Sequence, residues 1–299
     1  MASTTQVTLV DPEPGATDVA QYRLREIEEH WSRFLDSSDI TRINHNPAVW
    51  VPVASDTITL IQTMKLAGHA TAGRYDPTYL HQLLSTGYSS SIDDPSRITI
   101  AIDSPSRDHT VQDVRIDAAK SRVYVPVGLS LDPGGIGKGL AADLVVTELL
   151  LAGTAGALIS IGGDIAAAGK APTPDGWVIQ VEDALDPSEI LTVLAFSDGG
   201  IATSSTRTRR WVSDGTERHH LIDPITGTTS DTDLAAVTVV ANSGWLAEAH
   251  TTAALLLGTD GAIGYLESCG LAGIAVSVDG SVATTADLDL GLSNAKDSV

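Results

Sequence analysis

A single cysteine, Cys269, stands among 299 residues. One thiol excludes an internal disulfide framework and a thiolate metal cluster, so any metal ligands must be oxygen or nitrogen. Within ESCGLAGIAV that cysteine reads as a small buried side chain. Basic residues are scarce as well: 18 Lys and Arg against 38 Asp and Glu leave a formal charge of −20. Such a chain repels phosphate polymers and anionic bilayers, so neither nucleic acid nor a membrane surface is expected as a partner. Long apolar runs are missing too. No segment reaches the roughly 18 apolar residues of a membrane span, and MASTTQVTLVDPEPG lacks the basic start and apolar centre of a secretory signal. The expected location is cytoplasmic.

What is present is enough apolar matter, 42% of the chain, to fill a substantial core. Apolar groups at Val19, Leu24, Ile27, Trp31, Phe34 and Leu35 follow the spacing of an amphipathic helix over 18–35, and 57–73 reads as a second helix. Further helices are expected over 139–152 and 245–258. Strand-like stretches lie at 97–103, 112–117, 122–131, 157–161, 176–182, 200–204, 219–222, 236–241, 272–278 and 281–285. Strands outnumber helices and come in consecutive groups, which favours an α+β fold over a doubly wound parallel sheet. No tandem repeat of solenoid period is visible. The division expected is an N-terminal segment 1–17, one domain over 18–285, and a polar tail 286–299.

The chemistry gathers where apolar segments end. DPGGIGKG (132–139) places four glycines and one lysine between a strand-like stretch and a helix. Backbone N–H groups there converge, and the helix dipole adds partial positive charge, an outline of a phosphate site. It is neither GxxxxGK[ST] nor GxGxxG, and the glycines alone would equally serve a tight turn. Asp132 and Lys138 flank them and either orient a polar ligand or pair with each other. Other clusters have the same character. ISIGGDIAAAG ends a strand at Asp164, and IATSSTRTRRWV collects hydroxyls beside three arginines, suitable donors for phosphate oxygens. RHHLIDPITGTT holds His219, His220 and Asp223 within five residues, and a histidine is the natural proton acceptor near neutral pH. Glu248 and Thr252, four apart, share one face of a helix and offer oxygen ligands to a hard cation.

Taken together and in order, these segments resemble the ApbE-type FAD:protein FMN transferases, over roughly residues 20–285. WSRFLDSSDITRIN, GRYDPT, LDPGGIGKGLAAD, ISIGGDI, IATSS, HHLIDPITG and LAEAHTTAALLLG carry the likeness. The resemblance implies a single ApbE-like, T-fold-related domain with mostly antiparallel sheets and flanking helices. It implies Mg²⁺-dependent transfer of FMN from FAD to a Ser or Thr hydroxyl of a target protein through a phosphoester bond, releasing AMP. By the same likeness Phe34, Tyr75, Asp76, Asp132, Lys138, Ser204 and His220 line the FAD pocket. The Gly135 carbonyl, Glu248 and Thr252 hold Mg²⁺, and His220 or Asp223 accepts the hydroxyl proton.

This chain departs from the family pattern at three places. An early Met-Gly-Thr segment is missing, Glu248 stands for an aspartate at the metal site, and SSTRTR replaces SGDYER. Two alternatives stay open: an FAD pyrophosphatase giving free FMN and AMP, in which water replaces the protein hydroxyl in nearly the same pocket, and a non-catalytic FAD-binding protein, to which the three departures point. Export and lipid-anchor signals of the family are also lacking, which points to a cytoplasmic acceptor.

Overall fold

The computed structural model describes residues 3–91, 94–100, 105–106, 108–213 and 215–288. The chain opens with β1 (Thr5–Val10) and α1 (Ala16–Trp31) and continues through α2 (Asp39–His45), β2 (Trp50–Pro52), α3 (Ser55–Ala70) and α4 (Leu80–Ser85). Two short strands follow, β3 (Arg115–Asp117) and β4 (Arg122–Tyr124). Helix α5 (Gly137–Leu151) leads into β5 (Gly156–Ile161) and β6 (Asp164–Gly169), then a hairpin of β7 (Trp177–Glu182) and β8 (Ile190–Phe196). After β9 (Gly199–Ser205) comes a second hairpin, β10 (Arg210–Ser213) and β11 (Thr216–His219). The chain then forms β12 (Leu234–Ala241), α6 (Gly244–Leu255), α7 (Gly258–Ser268), β13 (Ala272–Ser277) and β14 (Val282–Thr284).

Seven strands form the main sheet in the order β1-β5-β6-β9-β12-β13-β14, every neighbouring pair antiparallel. Strands β5 and β12 read as near-continuous apolar runs rather than alternating ones because both faces of the sheet are covered. On one face lie α5 and α6. On the other lies the β7–β8 hairpin, whose Val181 and Leu194 pack on Ile201, Ile274 and Val276 while Trp177 packs on Leu158, Ile165 and Ala167. Helix α5 is itself covered from outside, since its Val145, Val146 and Leu149 share one core with Ile27 and Trp31 of α1 and Leu60, Ile61 and Met64 of α3. A helix buried on both sides has no polar stripe, and GKGLAADLVVTELLL shows none beyond its ends.

The expected α+β class with antiparallel sheets is the observed one. Residues 1–17, set apart in the sequence reading, supply the edge strand β1 and the first turn of α1. The strand expected over 122–131 stops at Tyr124, ahead of Pro126 and the left-handed Gly128. The strand expected at 97–103 is represented by an isolated bridge from Ile98 to Ser90, and its residues 101–103 lie outside the described residues, as does 289–299 of the polar tail. The helix expected over 245–258 ends at Leu255, and α7 begins at the left-handed Gly258. Cys269, read as buried, is exposed, because α7 ends beneath it and the chain turns at Gly270. Among the described residues no helix is long and apolar enough to cross a membrane.

Candidate active site

Two helix N-termini meet here because three glycines let them. A Cβ on Gly139 would lie 2.3 Å from the Gly244 carbonyl oxygen, and one on Gly200 of β9 would lie 2.4 Å from the Gly244 Cα. Only hydrogen fits at these crossings, so α5 and α6 start side by side above β9. Each helix then supplies a carboxylate to the other. Asp143 of α5 accepts the N–H groups of Gly244 (2.8 Å) and Trp245 (2.9 Å), while Glu248 of α6 accepts the N–H of Gly139 at 2.8 Å. The first-turn donors of both helices are thus partly satisfied from within the pair.

Lys138 lies between two buried carboxylates. Its ammonium is 2.9 Å from Glu248 Oε1 and is paired with Asp164 at the start of β6; these acids are 3% and 2% exposed. Asp164 Oδ1 also receives the Thr203 N–H of β9 at 3.4 Å. Burial draws Lys138 below the usual lysine range; Glu248 opposes that fall and Arg209 adds to it. The segment before β1 reaches this place as well. Thr4 accepts the Gly162 N–H at 2.9 Å, and a Cβ on Gly162 would stand 2.8 Å from Ser3 Oγ and 3.7 Å from Lys138 Cδ. The absence of a Met-Gly-Thr triplet therefore does not leave the site without an N-terminal wall.

Beside Lys138 runs the loop 132–136. Gly135 is left-handed, with φ +80°, and a Cβ on it would press to 3.1 Å from the Tyr75 ring and lie 3.6 Å from Thr252 Oγ1. Tyr75 is buried and its hydroxyl has no hydrogen-bond partner. Burial, with the charges of Glu248, Asp132 and Asp76, holds that phenol well above its ordinary range. Thr252 Oγ1 lies 3.3 Å from Ser204 Oγ of β9, which is also 2.8 Å from Thr251 Oγ1. Asp76 accepts from the N–H and hydroxyl of Thr78 at 2.9 and 2.7 Å.

This arrangement suits a hard cation. Gly135 lies against Thr252, whose hydroxyl is 3.4 Å from the Glu248 backbone carbonyl, while the Glu248 carboxylate meets Lys138 and the Gly139 N–H. Among the described residues no three His, Cys, Asp or Glu side chains gather as a metal cluster. A cation here would depend on the carbonyl and the hydroxyl as much as on the carboxylate.

Farther along the loop, Asp132 Oδ1 is 3.6 Å from Nε of the buried Arg33 and receives the Gly134 N–H at 3.1 Å. The Arg33 guanidinium lies 4.1 Å from the centre of the Phe34 ring. Phe34 meets Tyr88 edge-on at 6.4 Å, and Tyr88 stacks on Trp211 at 5.2 Å. Three segments far apart in sequence thus build one aromatic wall, anchored to Asp132 through Arg33. Arg33, Tyr88 and Trp211 carry no sequence signal of their own, because their meeting is purely tertiary.

The two histidines have different tasks. His219 is fully used: Nδ1 accepts the Leu221 N–H at 3.3 Å, which leaves Nε2 to donate to the Ser230 carbonyl at 3.1 Å. His220 Nδ1 is buried without a partner. Burial holds His220 well below the ordinary histidine range, with Arg209, His219 and Lys138 adding to the fall and the Thr208 backbone opposing it. The ring is therefore neutral at pH 7 and stands near Lys138. Asp223 has local partners. Its carboxylate caps a turn, accepting the Ile225 N–H at 2.8 Å, and it lines a separate groove of about 310 Å³ with Thr226 and Ser230. The turn is tied to the 75–79 loop by the Tyr79 hydroxyl, which donates to the Pro224 carbonyl at 2.6 Å.

Comparison with known proteins gives these features a family. The model of the ApbE family matches residues 1–276, and the chain belongs to that family. A FAD:protein FMN transferase of Salmonella typhimurium is 25% identical over 269 residues, which cover 83% of this chain and 73% of that protein. The FAD:protein FMN transferase of Treponema pallidum is 30% identical over 172 residues, 54% of this chain, and the match spans about half of that relative, 46%. Among solved structures, the apo form of Pseudomonas stutzeri flavinyl transferase ApbE superimposes with a TM-score of 0.78 at 25% identity, covering 96% of this chain and 92% of that one.

Proposed function

We propose that this member of the ApbE family is an enzyme that transfers FMN from FAD to a Ser or Thr hydroxyl of an acceptor protein, with Mg²⁺, and releases AMP. One observation supports the reading: Lys138, at the start of α5 beside the glycine loop, lies within electrostatic reach of the neutral His220. That is a set of groups for a pyrophosphate and for a proton leaving a hydroxyl.

In the reaction the acceptor oxygen attacks the FMN-side phosphorus. The new bond is the phosphoester, the bond that breaks is the bridging P–O to AMP, and its electron pair leaves with AMP. His220 takes the hydroxyl proton; its affinity for that proton rises once an anion offsets the positive charge of Lys138 and Arg209 beside it. Lys138 stabilises charge on the phosphate oxygens, and the partial positive charge at the start of α5 adds to it. Glu248, Thr252 and the Gly135 carbonyl would hold Mg²⁺, which supplies further charge neutralisation on the pyrophosphate. Phe34 and its aromatic neighbours give a planar ring of the dinucleotide a surface to stack on, and Tyr75, Asp76, Asp132 and Ser204 supply polar edges. Asp223, capping its turn, positions the segment that carries His220.

The test is to incubate the purified chain with FAD and Mg²⁺, with and without a peptide bearing the family's Asp…Ala-Thr acceptor motif, and follow AMP and peptide mass. AMP with an FMN adduct on the peptide is the expected outcome. AMP with free FMN and no adduct would make the chain a pyrophosphatase, and intact bound FAD would make it a binding protein.

A further inference from the structure

The β10–β11 ladder ends at the pair Arg210 and His219, and at its open end follow Arg209 and His220, close enough that the Arg209 charge acts on the histidine. Arg209 is held there at a backbone cost. Its φ of +50° is left-handed, a region that disfavours side chains other than glycine. The bend that contains it is pinned at its start, where Thr206 gives its N–H to Ala235 and its hydroxyl to Leu234, each at 3.0 Å. It is pinned at its end by the ion pair of Arg210 with Glu217. Arg209 itself is half-buried, and among the described residues no carboxylate lies within ion-pairing distance of it. In a chain with 38 acidic residues and 18 basic ones, a half-buried guanidinium beside a histidine, strained in backbone and without an acid, lacks its counter-charge.

Lys138 cannot supply the explanation, because it is a second cation near the same point, and its own charge is already met by Asp164 and Glu248. Neither of those carboxylates is paired with Arg209, so its guanidinium is open to an anionic ligand. A phosphate matches best, since the planar guanidinium donates two parallel hydrogen bonds to it. We propose that Arg209 is a catalytic residue that binds the non-bridging oxygens of the phosphate under attack, the FMN-side phosphate that His220 faces. The proposal rests on the reaction assigned above. As the acceptor oxygen bonds to phosphorus and the electron pair departs with AMP, Arg209 meets the charge on the equatorial oxygens while His220 holds the proton.

Glycine is the right replacement for the test, because it adopts the left-handed backbone without strain and so removes the guanidinium while sparing the bend. R209G should keep the thermal midpoint and bind FAD, read by flavin fluorescence, within about threefold of the parent. Its kcat for AMP release should fall about 100-fold, as when a donor to a developing charge is removed, and added guanidinium should restore part of it. R209K should retain an intermediate rate. Turnover of R209G within twofold of the parent would overturn the proposal, as would a loss of rate that follows a matching loss of thermal stability. FMN binding, measured by calorimetry, separates this proposal from the reading beneath it. If the parent released no AMP from FAD, the assigned reaction would fail, yet Arg209 would still be tested by its affinity for FMN, which carries the phosphate in question. An R209G protein about tenfold weaker for FMN would keep the phosphate contact, and equal affinity would remove it.

Discussion

Asp143 and Glu248 close each other's helices: the first accepts two N–H groups at the start of α6, and the second accepts the Gly139 N–H at the start of α5. The exchange has an electrostatic cost. Burial lifts the Asp143 carboxyl to about 6 from an ordinary 3.8, the two backbone donors pull it back, and Glu248 pushes it further up. A raised carboxyl binds its proton more tightly in the folded state than in the unfolded one. Its contribution to stability is therefore greatest at acid pH and is lost as pH rises from about 4 to about 6, roughly 3 kcal/mol over that window. Urea unfolding at pH 4 to 7 should show this fall in the parent and lack it in Asp143→Asn; the same pH slope in both proteins would contradict the account.

Glu248 caps a helix with one oxygen and faces Lys138 with the other, so charge and capping can be separated. Glu248→Gln keeps a carbonyl oxygen for the Gly139 N–H while removing the charge a cation needs. We expect a thermal midpoint within a few degrees of the parent and a loss of Mg²⁺-dependent AMP release of more than about 100-fold. Undiminished turnover at ordinary Mg²⁺ would remove Glu248 from the metal site.

Lys138→Met should do more than weaken FAD. It strips the counter-charge from two carboxylates that are 3% and 2% exposed, and breaking one partner of such a buried set costs about 3–5 kcal/mol. Adding Asp164→Asn should recover part of that stability, because one orphaned charge is then gone. A double variant no more stable than Lys138→Met alone would show that Asp164 is not part of the set. Flavin fluorescence on the double variant then reads the loss of FAD affinity without the folding defect.

The sheet and the chemistry were legible to different degrees, for physical reasons. Period and apolar runs reveal α1, α3, α5, β5, β9 and β12, whose sequences carry the burial of their faces. The edge strand β1 has little signal because TQVTLV is half-exposed and lies ahead of any helix signal. Lys138, Glu248 and Thr252 stand out by local spacing and Gly135 by the family resemblance; the fold pairs Lys138 with Glu248 and sets Gly135 against Thr252. Asp143 and Arg33 did not, since their partners lie 101 and 99 positions away, at Gly244 and Asp132, and local spacing holds no trace of that pairing. Local sequence does not rank His220 against Asp223 as the proton acceptor. The structure separates them: one histidine nitrogen is buried with no partner, while the aspartate accepts a turn N–H.

That separation predicts unequal effects. His220→Asn should lower AMP release by about 100 to 10,000-fold, the span typical of a lost general base. Asp223→Asn still accepts the Ile225 N–H and should keep most of the rate. His219→Ala, which loses the bonds to Leu221 and Ser230, should lower thermal stability more than it lowers the rate at permissive temperature. Equal losses from His220→Asn and Asp223→Asn, with both proteins folded, would return the aspartate to the chemistry.

The convergence of the two helix starts rests on Gly139, and an alanine there has nowhere to go. Its Cβ would stand 2.3 Å from the Gly244 carbonyl oxygen and 2.7 Å from the Trp245 nitrogen, both backbone atoms that cannot swing aside. Relief requires α6 to move off α5, which would draw Glu248 away from Lys138 and from the Gly139 N–H. We expect Gly139→Ala to lose about 3 kcal/mol or more, at the upper end for overpacking, and to lose AMP release with it. Gly264, exposed on α7 with nothing within 4 Å of an added Cβ, is the contrasting case. Alanine there should stabilise by roughly 0.5–1 kcal/mol, because it removes only the conformational freedom of the unfolded chain. If both alanines had the same effect on the urea midpoint, close approach at Gly139 would not be what holds the site together.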